Sequence, residues 1–194
     1  CGATDLDNLI SNLGKNQLGA AFDGDADRLI LVDETGTPCN GDVIILLIAK
    51  YLEAINKLNN NIVVSTVMSN FGFKKAVEKN NYHNVETSVG DKYVAAAMSE
   101  HNASLGGEQS GHIILGKFAT TGDGLLVALE VIKALNKKTK ASSFFDVFEK
   151  IPQVLENIHI KDENILKKPS VKSAIKTANK LIKGQGRILV RKSG

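Results

Sequence analysis

Short apolar runs alternate along the chain with longer runs of helical periodicity, and this alternation restricts the fold more than any other feature. Strands are predicted at residues 18–22, 28–32, 62–67, 85–89, 103–105, 112–115, 154–160 and 187–190. Helices are predicted at residues 5–13, 42–58, 72–79, 91–101, 122–136, 143–150 and 170–183. Parallel strands need crossover connections, which helices usually supply. The pattern therefore predicts an α/β fold with a mixed, largely parallel sheet layered with helices.

Composition limits the function to that of a water-soluble globular protein. Of 194 residues, 43% are hydrophobic and 23% charged, which excludes a disordered chain. The net charge is only +3 and aromatic residues make up 5%, so neither a basic surface nor a stacking platform for nucleic acid is expected. The longest apolar run, residues 43–49, is far shorter than the ~20 residues of a membrane span. We expect no nucleic-acid and no membrane partner.

Three aspartates stand at alternate positions directly after the first predicted strand, in Asp23-Gly24-Asp25-Ala26-Asp27-Arg28. Without a counter-charge, these carboxylates would repel one another and raise their own pKa values. Oxygen ligands of this kind suit Mg²⁺ or Ca²⁺ rather than zinc. We predict a Mg²⁺ site at Asp23, Asp25 and Asp27, beside which Arg28 would bind the same anion as the metal.

The same spacing resembles a calcium-binding EF-hand loop, since Asp23, Asp25, Asp27 and Glu34 fall at its positions 1, 3, 5 and 12. That loop needs glycine at position 6, which is Arg28 here, and helices on both sides, where strands are predicted. A calcium-binding module without enzymatic activity, or a merely solvated acidic turn, are the alternatives to the Mg²⁺ site.

A second cluster, Gly106-Gly107-Glu108-Gln109-Ser110-Gly111-His112, is rich in glycine. Such a turn exposes side chains and admits a ligand close to the backbone. Glu108 and Ser110 offer the acceptors and the donor that a polyhydroxylated or amino sugar requires, and His112 is a candidate for proton transfer or phosphate binding. The alternative is a hairpin turn in which Glu108 and Ser110 only satisfy local backbone groups.

Three further segments carry weaker signals. Lys92 follows a strand and either contacts phosphate, donates a proton or is an ordinary surface lysine. Residues 120–124 contain threonines and an aspartate that can cap the next helix, so this segment is expected to be structural, and Asp42 is the expected cap of the helix at 42–58. The final residues Arg191-Lys192-Ser193-Gly194 form either a phosphate cradle or a solvated basic tail.

The chain starts at Cys1 and not at Met. One interpretation is a lipid-modified secreted protein, although the apolar residues of a helix follow at once instead of a flexible polar linker. The other is a piece of a longer protein. The two cysteines, Cys1 and Cys39, do not make a disulfide framework, so a reduced cytoplasmic protein is expected.

Together, residues 23–28, 107–112 and 191–194 resemble, in this order, the metal loop, the sugar-binding loop and the start of the phosphate-binding loop of the α-D-phosphohexomutase superfamily. The segments at 1–4, 65–70 and 89–94, and Gln109 within the second loop, are similar to the bacterial branch that acts on glucosamine phosphates. The resemblance spans essentially the whole chain.

This resemblance implies a division into domains. Residues 1–37 would be the end of domain 2, residues 38–151 domain 3, and residues 152–194 an incomplete α+β domain 4. Domain 1, whose serine carries the phosphate in this superfamily, would be a missing partner from the same protein. The chain alone is therefore expected to be inactive.

The resemblance also implies roles in a Mg²⁺-dependent interconversion of glucosamine 6-phosphate and glucosamine 1-phosphate through a phosphoserine and a bisphosphate. Its substrate would be a phosphorylated amino sugar. Arg28, Lys92 and His112 would be catalytic, and Asp23, Asp25 and Asp27 would bind the metal. Substrate would contact Glu108, Ser110, Arg191, Ser193 and Gly194. A phosphomannomutase/phosphoglucomutase of broader specificity is the alternative within the superfamily.

Overall fold

The computed structural model describes residues 3, 5–135, 139–160, 162 and 164–192. The helices are α1 (Asp7–Asn12), α2 (Gly41–Ala54), α3 (Phe71–Lys79), α4 (Asp91–Glu100), α5 (Gly124–Ala134), α6 (Ala141–Phe145) and α7 (Pro169–Leu181). The strands are β1 (Gly19–Phe22), β2 (Leu29–Val32), β3 (Pro38–Cys39), β4 (Ile62–Thr66), β5 (His83–Thr87), β6 (Leu105–Gly107) and β7 (Ile113–Leu115). The fold class is the predicted one, α/β with a mixed sheet.

Two sheets organise the first 150 residues. The larger has the order β5-β4-β6-β7, in which β4 is parallel to β5 and β6, and β7 is antiparallel to β6. Consecutive residues of these strands supply two different cores: Val63 and Ile113 belong to the core with α2, α3 and α5, and Val64 and Ile114 to a smaller core with α4. Helices therefore cover both faces, as expected of a mainly parallel sheet. The smaller sheet, β1-β2-β3, is antiparallel.

Helix α2 lies at the centre of the larger core. Residues 41–49 are all buried, so this part of the helix contacts the core on every side. Its cap differs from the prediction: the Asn40 side chain accepts a hydrogen bond from Val43 N, while Asp42 lies inside the first turn and is fully buried.

Two of the predicted strands are wrong, and part of one predicted helix is not helical. Residues 154–160 and 187–190 are not strands, and the helix predicted at 143–150 is confined to Ala141–Phe145. Val154, Leu155 and Ile158 are more than 70% exposed, and none of the strands in the described part of the chain pairs with this segment. Apolar residues with the pattern of a strand are not enough to form a sheet.

The chain divides into two compact units, Cys1–Lys150 and Ile151–Gly194. Among the described residues, every buried one belongs to the first unit. The second contains α7, whose residues are all at least partly exposed. Cys39 is a buried free thiol, and burial raises its pKa to about 12. Within the described parts of the chain, no helix is long and apolar enough to cross a membrane.

Candidate active site

The acidic loop, residues 23–28, joins the antiparallel strands β1 and β2. Ala26 has a φ of 60° and its N–H donates to the Asp23 carbonyl oxygen at 3.2 Å, so the loop turns sharply at that point. This turn brings one carboxylate oxygen each of Asp23, Asp25 and Asp27 within 4.8 Å of one another. The flanking elements are strands, as predicted, and not the two helices of an EF-hand.

The surroundings of Asp27 fit a bound cation. Its Oδ1 is buried and has no hydrogen-bond partner, which is costly for an anionic oxygen. Burial raises the pKa of Asp27, and the hydrogen bond and the charge of Asp23 raise it further. Arg28 forms only long ion pairs with these carboxylates: its Nε lies 3.5 Å from Asp23 Oδ2 and 3.9 Å from Asp27 Oδ1. Three converging carboxylates, one with an unsatisfied buried oxygen, suit an oxygen-seeking divalent ion such as Mg²⁺.

The glycine-rich loop, residues 107–112, connects the antiparallel strands β6 and β7, so it is a hairpin. Its glutamate is held from outside the hairpin, since Gly90 N donates to Glu108 Oε1 at 2.8 Å. Ser110 Oγ lies 3.4 Å from Glu108 Oε2. A carboxylate accepts about four hydrogen bonds, so Glu108 keeps acceptor capacity for hydroxyl groups of a ligand.

The two loops are paired with each other. Arg28 and His112 form an isolated antiparallel bridge, and Leu29 N donates to the Gly111 carbonyl oxygen at 3.1 Å. His112 is only 3% exposed, and its Nε2 lies 3.4 Å from Asp27 Oδ2. Backbone pairing thus places the candidate sugar-binding side chains next to the candidate metal ligands.

Two glycines make this approach possible, although the sequence pattern had assigned this role to neither of them. A Cβ at Gly111 would lie 2.3 Å from the Leu29 carbonyl oxygen, and a Cβ at Gly122 would lie 2.5 Å from His112 Nε2. The segment at 120–124, expected to be structural, also caps α5 through Asp123. It holds the acidic loop as well, because Gly124 N donates to the Ala26 carbonyl oxygen at 2.9 Å.

The remaining predicted residues are placed as follows. Lys92 Nζ lies over the Tyr93 ring, 4.9 Å from its centre, although Gly90 two residues earlier contacts Glu108. Arg191 is exposed in the second compact unit, where its Nη1 donates to the Lys192 carbonyl oxygen. Ser193 and Gly194 lie outside the described residues. Their substrate roles, and those of the other site residues, stay predictions.

Residues 40–152 match the family described as phosphoglucomutase/phosphomannomutase, alpha/beta/alpha domain III. The chain belongs to this phosphoglucomutase/phosphomannomutase family. The resemblance to the α-D-phosphohexomutase superfamily is thereby confirmed. The family region contains the glycine-rich loop, whereas the acidic loop precedes it.

Named relatives extend the match beyond this region. The chain is 56% identical over 180 residues to a phosphoglucosamine mutase of Pelagibacter ubique, covering 93% of this chain and 40% of that protein. It is 47% identical over 179 residues to the phosphoglucosamine mutase of Bacillus velezensis, covering 91% of this chain and 40% of that one. The chain therefore spans less than half the length of these relatives.

Solved structures share the fold of this family member. Aspergillus fumigatus N-acetylphosphoglucosamine mutase, determined in complex with GlcNAc-6P and magnesium, superposes with a TM-score of 0.74 at 19% identity, covering 93% of this chain and 48% of that one. A phosphomannomutase-type protein of Thermus thermophilus superposes with a TM-score of 0.63 at 23% identity, covering 72% of this chain and 32% of that one.

Proposed function

We propose that this chain is part of a phosphoglucosamine mutase, which interconverts glucosamine 6-phosphate and glucosamine 1-phosphate. The observation that carries the proposal is the backbone pairing between Arg28 and His112, which joins the acidic loop to the glycine-rich loop. A phosphoryl-transfer site needs a cation and a sugar-binding group side by side, and this pairing brings the candidate metal ligands next to the candidate sugar-binding residues. The names of the relatives at 56% and 47% identity favour the amino sugar as substrate.

In this proposal, Asp23, Asp25 and Asp27 hold Mg²⁺. Bound there, the ion would neutralise charge on the transferring phosphoryl group. Arg28 adds a positive charge at the same position, and its loose contacts with Asp23 and Asp27 leave the guanidinium able to turn toward an anion. His112 is buried against Asp27, which suits a group that orients the loop or moves a proton within it.

Sugar recognition is assigned to Glu108 and Ser110, whose side chains stand together at the loop. Arg191, Ser193 and Gly194 would grip the phosphate that does not react, and Lys92 would contact phosphate or donate a proton. The serine that carries the phosphoryl group would come from a further domain of the same protein, domain 1. The complete enzyme would work in the cytoplasm.

The test uses the full-length protein that contains this chain, supplied with Mg²⁺ and each of three substrates: glucosamine 6-phosphate, mannose 6-phosphate and glucose 6-phosphate. We expect turnover to be fastest with the glucosamine phosphate. Preference for a neutral hexose phosphate would instead identify a phosphomannomutase/phosphoglucomutase. The 194-residue chain alone is expected to show no turnover, because this proposal assigns the phosphoserine to domain 1.

A further inference from the structure

Asp42 is a buried carboxylate that the catalytic assignment above does not use. It lies in the first turn of α2 with 0% of its surface exposed. An isolated buried carboxylate is strongly unfavourable unless it accepts hydrogen bonds. The N-terminal turn of a helix favours its negative charge, and two donors from other parts of the chain meet its Oδ2.

The two donors come from segments distant in sequence. Asn70 N, in the turn between β4 and α3, donates to Asp42 Oδ2 at 2.7 Å. Gln109 Nε2, in the glycine-rich loop, donates to the same oxygen at 3.3 Å. One oxygen atom therefore connects the start of α2 to both the β4–α3 turn and the glycine-rich loop.

The backbone makes the same connection more tightly. Gly41 N donates to the Gln109 carbonyl oxygen at 3.0 Å. A Cβ at Gly41 would lie 1.9 Å from the Glu108 carbonyl oxygen, so the glycine-rich loop rests directly on the helix. Gln109 is thus held by its side chain and by its carbonyl group, both at the first turn of α2.

Gln109 stands between the two residues assigned to the sugar. Glu108 and Ser110 are its sequence neighbours, so a change in the position of Gln109 changes where both of their side chains point. On this geometry we propose that Asp42 is a positioning residue, which orients Glu108 and Ser110 by holding Gln109. This inference rests on the proposed function, because it concerns how the same site recognises a sugar phosphate.

The discriminating substitution is Gln109→Met, which keeps the length of the side chain and removes its donor. In the full-length enzyme, we expect KM for glucosamine 6-phosphate to rise at least about tenfold, with a smaller change in kcat. A tenfold change in KM corresponds to the free energy of one hydrogen bond to a charged group. Gln109→Glu places a second carboxylate against Asp42 and should be worse. Adding Asp42→Asn to Gln109→Glu restores a donor and should recover part of the loss.

A second readout does not depend on activity. In the 194-residue chain, hydrogen exchange of the Gly41 and Gly111 amides, which donate to Gln109 O and Glu108 O, reports how firmly the loop is held. We expect faster exchange in Gln109→Met. The matched control is Gln17→Met, which also removes a glutamine hydrogen bond, the one that Gln17 Oε1 accepts from Gly14 N at 2.7 Å.

The two measurements separate the two proposals. Unchanged exchange in Gln109→Met overturns the positioning role, and so does an unchanged KM when the unaltered enzyme turns over glucosamine phosphates. Absence of turnover by the unaltered full-length enzyme contradicts the proposed function instead. Exchange then still decides whether Asp42 and Gln109 hold the loop.

Discussion

At the scale of single residues, Asp27 has the most demanding environment of the candidate site. One of its oxygens is buried without a hydrogen bond, and the other faces His112 at 3.4 Å. Burial raises its pKa, and the charges of Asp23 and Asp25 raise it further. Carboxylates arranged in this way destabilise the loop unless a cation balances them. The unfavourable electrostatic energy of these three carboxylates therefore indicates a bound cation.

Asp25→Asn tests whether the three aspartates bind a cation, because Asp25 is the exposed one among them. Without metal, we expect the variant to be as stable as the unaltered chain or slightly more so, because one repulsive charge is removed. Mg²⁺ at about a hundred times its Kd should stabilise the unaltered chain by about 2.7 kcal/mol, and the variant much less. Thermal unfolding with and without Mg²⁺ gives both quantities.

The control is Glu100→Gln, which removes an exposed carboxylate at the end of α4. Its response to Mg²⁺ should match that of the unaltered chain. If Asp25→Asn keeps the full response, the three aspartates do not form the metal site. Tight binding of Ca²⁺ without any effect of sugar phosphates on the full-length protein would favour a calcium-binding module.

At the scale of elements, the two hairpin loops depend on close backbone contact more than on side chains. Gly111 has a φ of 97°, and its Cα faces the Leu29 carbonyl oxygen. Any side chain there both strains the backbone and separates the loops. The pairing that places the candidate metal ligands next to the candidate sugar-binding residues therefore depends on a glycine, which has no functional side chain.

Gly111→Ala should destabilise the chain by at least about 2 kcal/mol, from backbone strain and overpacking together. Gly24→Ala, also in a site loop, is the matched control, because a Cβ at Gly24 meets nothing within 4 Å. We expect that variant to stay within about 0.5 kcal/mol of the unaltered chain. Urea unfolding curves measure both, and equal effects would contradict the close-contact explanation.

A second contact between elements predicts that the stability of the chain depends on pH. Glu34, in the turn after β2, accepts hydrogen bonds from Ser142 N at 3.0 Å and Ser142 Oγ at 2.5 Å, which joins this turn to α6. The hydrogen bond from the Ser142 side chain lowers the pKa of Glu34 below its usual value of 4.5. A lowered pKa in the folded state means that this stabilisation is complete above pH 4.5 and is lost as pH falls through the folded-state pKa.

Glu34→Gln should therefore be less stable than the unaltered chain at pH 7, and the difference should shrink as the pH falls below 4.5. Thermal unfolding between pH 3 and 7 measures this, with Glu100→Gln as the control for the removal of an exposed carboxylate. A difference that is independent of pH would show that the charge of Glu34 is not what stabilises the contact.

At the scale of the whole molecule, the two compact units differ in how much core they contain. All buried residues among those described lie before Ile151, whereas Leu181 and Val154 of the second unit are more than 80% exposed. A unit without buried apolar side chains contributes little to the free energy of folding. The stability of the chain should reside in its first 150 residues.

Truncation after Lys150 tests this. We expect the Tm to stay within about 2 °C of that of the full 194-residue chain, since a change of 1 kcal/mol moves the Tm by 2–4 °C in a domain of this size. Truncation after Lys140 is the control: it also removes buried Phe145 and the Ser142 contact with Glu34, and should lower the Tm clearly. A large loss on truncation after Lys150 would contradict a core confined to the first unit.

Much of this protein was predictable from local pattern. The α/β class and the helices α3, α4 and α5 follow from periodicity, because one face of each helix meets the core. The cluster of three aspartates follows from their spacing, because a tight hairpin loop brings alternate side chains together. The resemblance to the phosphohexomutases follows from two such loops and a basic end.

Tertiary structure alone decided the rest, since it depends on contacts between segments distant in sequence. Asp42 has the local pattern of a helix cap, and only the approach of Asn70 and Gln109 makes it a buried acceptor. Residues 154–160 have the pattern of a strand, but a strand forms only where another lies beside it. The proximity of His112 to Asp27 comes from the pairing of two loops about 80 residues apart, and the sequence of neither loop indicates that pairing.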